Sequence, residues 1–439
     1  MTRIENIGLA VPEIYLPNSS VDPNKWAVIA CDQFTSQPEY WERVAAYVDG
    51  APSTFHMILP EVWLHSEDIQ QRIAATQKTM RAYLDDGIFD HFKGFVLVER
   101  TIGERKQTGL VVALDLEAYD YTKGAQTLIR ATEGTILNRL PPRMQVRRGA
   151  PLELPHILVL YDDPCMRVLS EVLAAKAVLP QAYDFELMEG SGHLKGYRVE
   201  EERLLDSVQN ALSALIEPAT YDPKYDLPEG TAPLLFAMGD GNHSLATAKA
   251  IWEELKPTVG MDHPARYALV ELVNLHDPSL QFEPIHRVLF NTPETFLSEL
   301  RENNSPNLRL LAACDLSEVS QLVNENVSPN QRFGVISPAG YAVVELTSPK
   351  QNLPVGNLQE FLDAYLASHP GISIDYVHGD EIVDELGRKP GNVGFYLPPI
   401  GKDSFFKTVI LDGALPRKTF SMGHAKDKRF YMECRRISA

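Results

Sequence analysis

An apolar run of strand length, Leu234-Leu235-Phe236-Ala237-Met238, passes through Gly239-Asp240-Gly241 straight into Ser244 to Leu255, where Ala248, Ile251, Trp252 and Leu255 form one apolar helical stripe. The order predicted is strand, glycine turn, helix. Two glycines remove Cβ crowding at a tight turn and let an anion approach the backbone. The first helical N–H groups point at that anion unpaired, together with the positive end of the helix dipole. Such a corner prefers phosphate or carboxylate.

Four hydrogen-bonding side chains, Asp240, Asn242, His243 and Ser244, crowd into this bend. Asn242 or Ser244 can serve simply as the helix N-cap. Asp240 can hold Mg2+ through a carboxylate oxygen or fix the turn by accepting backbone N–H groups, and the residues leave both roles open. A protonated histidine in the first turn of a helix is opposed by the dipole. An anionic ligand therefore explains His243 better than a neutral core histidine does.

Other readings of the same stretch fail on spacing. Gly239-x-Gly241-x-x-Ser244 approximates a dinucleotide fingerprint, but the third glycine is missing and no acidic residue ends a strand about 20 residues later. The GxxxxGK[ST], GxSxG and HExxH patterns are absent. The formal net charge of −18 argues against a nucleic-acid surface. Within this acidic chain, Arg139, Arg143, Arg147 and Arg148 gather in one segment, either as a phosphate or carboxylate clamp or as a solvated basic turn. The cysteines Cys31, Cys165, Cys314 and Cys434 show neither CxxC nor zinc spacing, which suits a reducing compartment. No signal-peptide pattern and no uninterrupted apolar run long enough for a bilayer is seen, so a cytoplasmic protein with no membrane partner is expected.

A chain of 439 residues exceeds what one core usually serves. Strands are expected at Trp26–Cys31, which ends at Asp32, at Phe95–Arg100 and Thr108–Leu116 as a hairpin, and at His156–Tyr161. Helices are expected over Ser66–Leu84, Met166–Ala177 and Glu200–Ile216, and Gly190-Ser191-Gly192 reads as a hairpin turn. Glu271 interrupts the apolar strand Ala268–Leu275 and should face a cation or the cleft. The cluster Asn303-Asn304-Ser305-Pro306-Asn307 suggests a boundary near residue 300, giving units of 1–300 and 301–439, with the last segment free to return to the site.

Gly239-Asp240-Gly241-Asn242-His243-Ser244-Leu245-Ala246-Thr247-Ala248, followed by Leu272-Val273-Asn274-Leu275-His276-Asp277-Pro278 and Pro284-Ile285-His286-Arg287, resembles the uncharacterised DUF1015 family. Thr132-Glu133-Gly134-Thr135 with Arg139 and Arg143, and Leu415-Pro416-Arg417-Lys418-Thr419, resemble two further blocks of that family. The family is similar in turn to the ParB/sulfiredoxin-like fold, which includes free-serine kinases. The resemblance implies an α+β chain whose mixed sheet forms a ParB/sulfiredoxin-like core with a C-terminal α/β lobe. It also implies a nucleotide-dependent phosphoryl-transfer enzyme or a descendant of one. Where the family usually has Arg after His this chain has Ser244, so a cationic phosphate contact must come from elsewhere, from Arg143 or Lys418. Asn242 stands where sulfiredoxins carry their catalytic cysteine, which argues against sulfinic-acid repair.

Phosphoryl transfer needs cations for the phosphates and one carboxylate to take the hydroxyl proton. On that reading Gly241, His243 and Ser244 bind phosphate, with Asp240, Asn242 and His286 beside them, and Arg143 and Lys418 stabilise charge. Asp32 or Glu133 is the general base, His243 is counted with the catalytic groups, and Asp240 is the candidate metal ligand. ATP or ADP, with Mg2+ as an option, is the expected cofactor. A small-molecule substrate is the expected partner, and the sequence leaves a homo-oligomer open. Three readings compete: a small-molecule kinase acting on an anionic hydroxyl compound such as a free amino acid, with a phosphatase as a close variant; a non-catalytic nucleotide or anion sensor; and, least suited, a dinucleotide oxidoreductase.

Overall fold

The computed structural model describes residues 2–4, 7–228, 230–304, 307–325, 327–423 and 428–438. The chain divides into two compact units, one made of Met1–Leu280 with His424–Ala439, the other of Gln281–Gly423.

The first unit is built on a large mixed sheet. Along its main path the strands run in the order Gln181–Glu186, His193–Val199, Phe95–Ile102, Arg105–Asp115, Tyr267–Asn274, Leu158–Tyr161, Phe236–Asp240, Ile129–Arg130 and Tyr119–Asp120. Most neighbours are antiparallel. Tyr267–Asn274 and Leu158–Tyr161 run parallel, as do Phe236–Asp240 and Ile129–Arg130. The 267–274 strand is buried at every position, which is why its sequence is apolar without alternation. One face packs Ala268, Val270 and Leu272 with Leu245, Ala248 and Trp252 of the helix Asn242–Val259. The other face packs Val111 and Leu269 with Val28, Ile29, Phe430 and Tyr431. Each large apolar side chain buried in this way contributes about 1.5–3 kcal/mol relative to exposure.

Glu271 lies on the second face and is ion-paired with Arg429, which also donates to Glu433 at 2.6 Å. Gly109 makes room for it, since a Cβ there would collide with the Glu271 carboxylate. The expected hairpin over residues 95–115 and the turn at Gly190-Ser191-Gly192 are both present. Two local expectations are corrected. Asp22 accepts from the Asn24 N–H at 3.0 Å with Pro23 in the first helical turn, so Pro23–Trp26 forms a short helix and the strand shrinks to Val28–Ile29. The helix expected from Met166 starts only at Ser170, because Met166 adopts a positive φ of 54° in the turn after Pro164.

The second unit carries its own antiparallel sheet, in the order Leu308–Ala313, Gly340–Leu346, Gln331–Ser337, Asn392–Tyr396, Glu283–Phe290 and Ser373–His378. Val288, Val319, Ile336, Val343 and Val383 lie in its core. Because Glu283–Phe290 pairs on both sides within this sheet, the division falls after Leu280 and not near residue 300. Asn303 and Asn304 end a helix, and Ser305 and Pro306 lie outside the described residues. No described helix is long and apolar enough to cross a membrane.

Candidate functional site: the corner that opens the Asn242 helix

The strand Phe236–Asp240 ends against Leu158–Tyr161, and that close approach dictates the glycines. A Cβ on Gly239 would lie 2.7 Å from Leu158 Cδ2. Gly241 has φ +78° and a Cβ there would lie 3.1 Å from Ile157 Cα. Gly241 is itself the N-cap, and no side chain caps the helix. Neither Asn242 nor Ser244 therefore takes the capping role, and the opening amides are left to the site. Asn242 Oδ1 is buried without a hydrogen-bond partner, and so is Thr135 Oγ1 on the preceding loop. Buried orphan atoms of this kind call for a partner that the protein itself does not supply.

His243 stands in the first turn, half-buried. Its Nε2 accepts the Ile136 backbone N–H at 3.4 Å, which leaves the ring proton on Nδ1. Burial, reinforced by the nearby charges of Arg143 and Arg139 and opposed by Asp32, holds its pKa below the ordinary histidine value. The imidazole is therefore neutral at pH 7.

The helix Leu140–Arg147 packs beside the Asn242 helix and brings the arginines. Arg143 forms a fork on Glu61, with Nε 2.7 Å from Oε1 and Nη2 2.5 Å from Oε2, while its Nη1 donates to the Arg139 carbonyl. Arg139 is exposed and makes no ion pair among the described residues. Arg147 and Arg148 are spoken for by Glu153 and Glu254. The basic segment is thus half scaffold and half site.

Asp32 follows the Val28–Ile29 strand and is 28% exposed. Its Oδ1 accepts from Gln33 at 2.9 Å, and its Oδ2 lies 3.7 Å from His156 Nε2. The Tyr431 hydroxyl accepts the Cys31 N–H at 3.2 Å, so its own proton points to His156 Nδ1 at 2.8 Å. That chain of bonds places the ring proton of His156 on Nε2, toward Asp32. Glu133, half-buried, follows Thr132, whose hydroxyl donates to the Met238 carbonyl, so it lies on the loop flanking this turn.

Asp240 does not resemble a vacant metal ligand. Its Oδ1 accepts from the Gly241 N–H at 2.9 Å, and its Oδ2 is 2.9 Å from Lys428 Nζ. The carboxylate charge is already neutralised, so the residues present do not fit a divalent cation here. Among the described residues no group of three or more His, Cys, Asp or Glu side chains gathers as a metal cage.

Two expected phosphate ligands, His286 and Lys418, belong to the second unit. His286 is fully buried. Leu397 N–H donates to its Nδ1 at 3.1 Å, Nε2 faces Asp380 Oδ1 at 3.2 Å, and the ring stacks on Tyr396. Both nitrogens are engaged within the second unit, where His286 packs as a core histidine. Lys418 is exposed, with φ +54°. Lys428, Glu61, His156 and Tyr431, which complete the corner, carry no local sequence signal beyond the basic run around Lys428.

A helix amide cluster, a neutral imidazole, two arginines and an ammonium thus gather beside a partly exposed carboxylate at this corner. The chain belongs to the family described as protein of unknown function DUF1015, which it matches over residues 15–365. No curated protein matches it. Among solved structures it is similar to a mutant free serine kinase in complex with ADP, at 9% identity and a TM-score of 0.39, over 73% of this chain and 91% of that chain. It is also similar to a conserved hypothetical protein from Pyrococcus furiosus, at 10% identity and a TM-score of 0.35, over 75% of this chain and 95% of that one. A third is C-terminally truncated SbnI from Staphylococcus aureus, at 9% identity and a TM-score of 0.33, over 71% and 83%. At these scores the likeness assigns no residue and no activity to this chain.

Proposed function

We propose that this corner binds the phosphates of a nucleotide, ADP or ATP, and that the protein transfers a phosphoryl group to a small hydroxyl compound such as a free amino acid. The observation that carries the reading is the opening of the Asn242 helix: its N-cap is Gly241, no side chain caps it, and the exposed Arg139, without an ion pair among the described residues, lies near its first turn. Free amides at the positive end of a helix beside an unpaired guanidinium favour an anion. Neutral His243 donates from Nδ1 without adding charge, and the Asn242 and His243 amides receive phosphate oxygens.

In the transfer, the substrate hydroxyl oxygen attacks the terminal phosphorus and forms the new P–O bond. The bond to the bridging oxygen breaks, and its electrons leave with the nucleotide shortened by one phosphate, AMP from ADP or ADP from ATP. The hydroxyl proton passes to Asp32, with Glu133 the second candidate. Positioning and charge stabilisation supply most of the acceleration.

Calorimetric titration with ADP and ATP tests the reading. Wild type is expected to bind, Arg139→Ala and His243→Ala to bind at least tenfold more weakly, and Asp32→Asn to bind normally while losing turnover. Failure of every nucleotide to bind at millimolar concentration refutes the nucleotide site. Normal ligand affinity and response with no turnover in any variant would favour a sensor.

A further inference from the structure

A nucleotide's phosphates carry several negative charges, which proteins meet either with a divalent cation held on a carboxylate or with side-chain cations. The carboxylate placed at the turn itself is Asp240, and both its oxygens are engaged, one by the Gly241 amide and one by Lys428. The Lys428 side chain is 20% exposed.

Its position is built in. The Lys428 carbonyl accepts from Arg100 Nη1. The next residue, Arg429, is fixed by Glu271, Glu433 and the Pro155 carbonyl. Beyond it, Phe430 and Tyr431 pair with Ile29 and Val28. The ammonium is therefore carried on an anchored backbone and held by its Asp240 contact, so part of the ordering cost is met before a ligand arrives.

Of its three protons one is directed at Asp240, which leaves two for a phosphate oxygen arriving at the Gly241 turn. We propose that Lys428 is the phosphate-binding cation of this corner and that it stands where a divalent cation carried by Asp240 would otherwise be needed. This rests on the nucleotide reading above. It replaces the sequence expectation that Asp240 is a metal ligand, and it supplies the cation that Ser244 cannot.

The test is calorimetric titration of the full chain with ADP, once in EDTA and once in excess Mg2+, for wild type, Lys428→Met and Lys428→Arg, with thermal melts to establish folding. Wild type should bind ADP in EDTA within about threefold of its affinity in Mg2+, a difference of no more than about 0.7 kcal/mol. Lys428→Met should lose about tenfold or more in EDTA and regain part of it when Mg2+ is added, because Asp240 Oδ2 is then released to hold the metal. Lys428→Arg should stay close to wild type. ADP binding by wild type that requires Mg2+ overturns this inference and leaves the nucleotide site standing. ADP that binds under neither condition overturns both. If Lys428→Met does not fold, the wild-type comparison and Lys428→Arg still decide the matter.

Discussion

Arg429 holds two buried carboxylates together, and removing it should be costly in a way that depends on pH. Glu271 and Glu433 are 5% and 1% exposed. Besides Arg429, Glu433 receives the Tyr183 hydroxyl at 2.5 Å. In Arg429→Met the two acids face each other without a cation, and the folded protein is expected to protonate one of them. Breaking a buried pair on one side in this way costs roughly 3–5 kcal/mol.

Urea unfolding followed by tryptophan fluorescence measures this cost selectively, because Trp26, Trp41, Trp63 and Trp252 all lie in the first unit. In the variant the folded-state pKa of the protonated glutamate lies above its unfolded value. The folded state then binds the extra proton, and stability falls as pH rises through the interval between the two values. The deficit should therefore be near its full size at about pH 7.5 and much smaller at about pH 5. Adding Glu271→Gln and Glu433→Gln to Arg429→Met should recover most of it. A deficit under about 1 kcal/mol at neutral pH, the range of an exposed pair, or one equal at both pH values, would refute the reasoning.

Three further outcomes follow from the corner. Gly241→Ala places a side chain at φ +78° against Ile157 and should cost about 1–2 kcal/mol, with weaker ADP binding by calorimetry. Glu61→Gln frees the Arg143 fork and should tighten phosphate or ADP binding several-fold; unchanged or weaker binding would show that Glu61 serves to position Arg143. His243 is held below the ordinary value of about 6.5, so the unfolded chain takes its proton first and stability is lost as pH falls through that interval. His243→Gln should flatten the loss, and added phosphate should raise the ring's titration midpoint in wild type, both readable by melts and NMR.

What the sequence discloses and what it withholds divide by distance along the chain. The strand, glycine turn and helix over residues 234–259 are legible because their periodicities are local. Glu271 is legible as a misfit, an acid in an apolar strand that demands a cation, although nothing local names Arg429. The capping question was open because Asn, Ser and Gly all begin helices, and it is settled only by the approach of Ile157, which forces glycine into the cap. Lys428, Tyr431 and His156 are illegible for a different reason. Tyr431 reaches His156 across 275 positions, and such contacts are created by the packing of the second sheet face. His286 reads as functional from its place in a family block, and only the packing of the second unit shows both of its nitrogens engaged.

The charges of the corner are paired crosswise before any ligand arrives. Glu61 holds Arg143 and Asp240 holds Lys428, while Asp32 faces the His156 ring at 3.7 Å. On the phosphate reading these carboxylates have two effects. They keep the cations ordered, so that a ligand meets a preorganised surface and not mobile side chains. They also compete with the ligand for the same protons, at a cost that is common to every anion that displaces them. A phosphate brings more charge and more acceptor oxygens than the acid it displaces, whereas a carboxylate merely exchanges like for like. On that reading selectivity for phosphate comes from the extra charge and acceptor oxygens it brings to the same cations, set against a displacement cost shared by every anion.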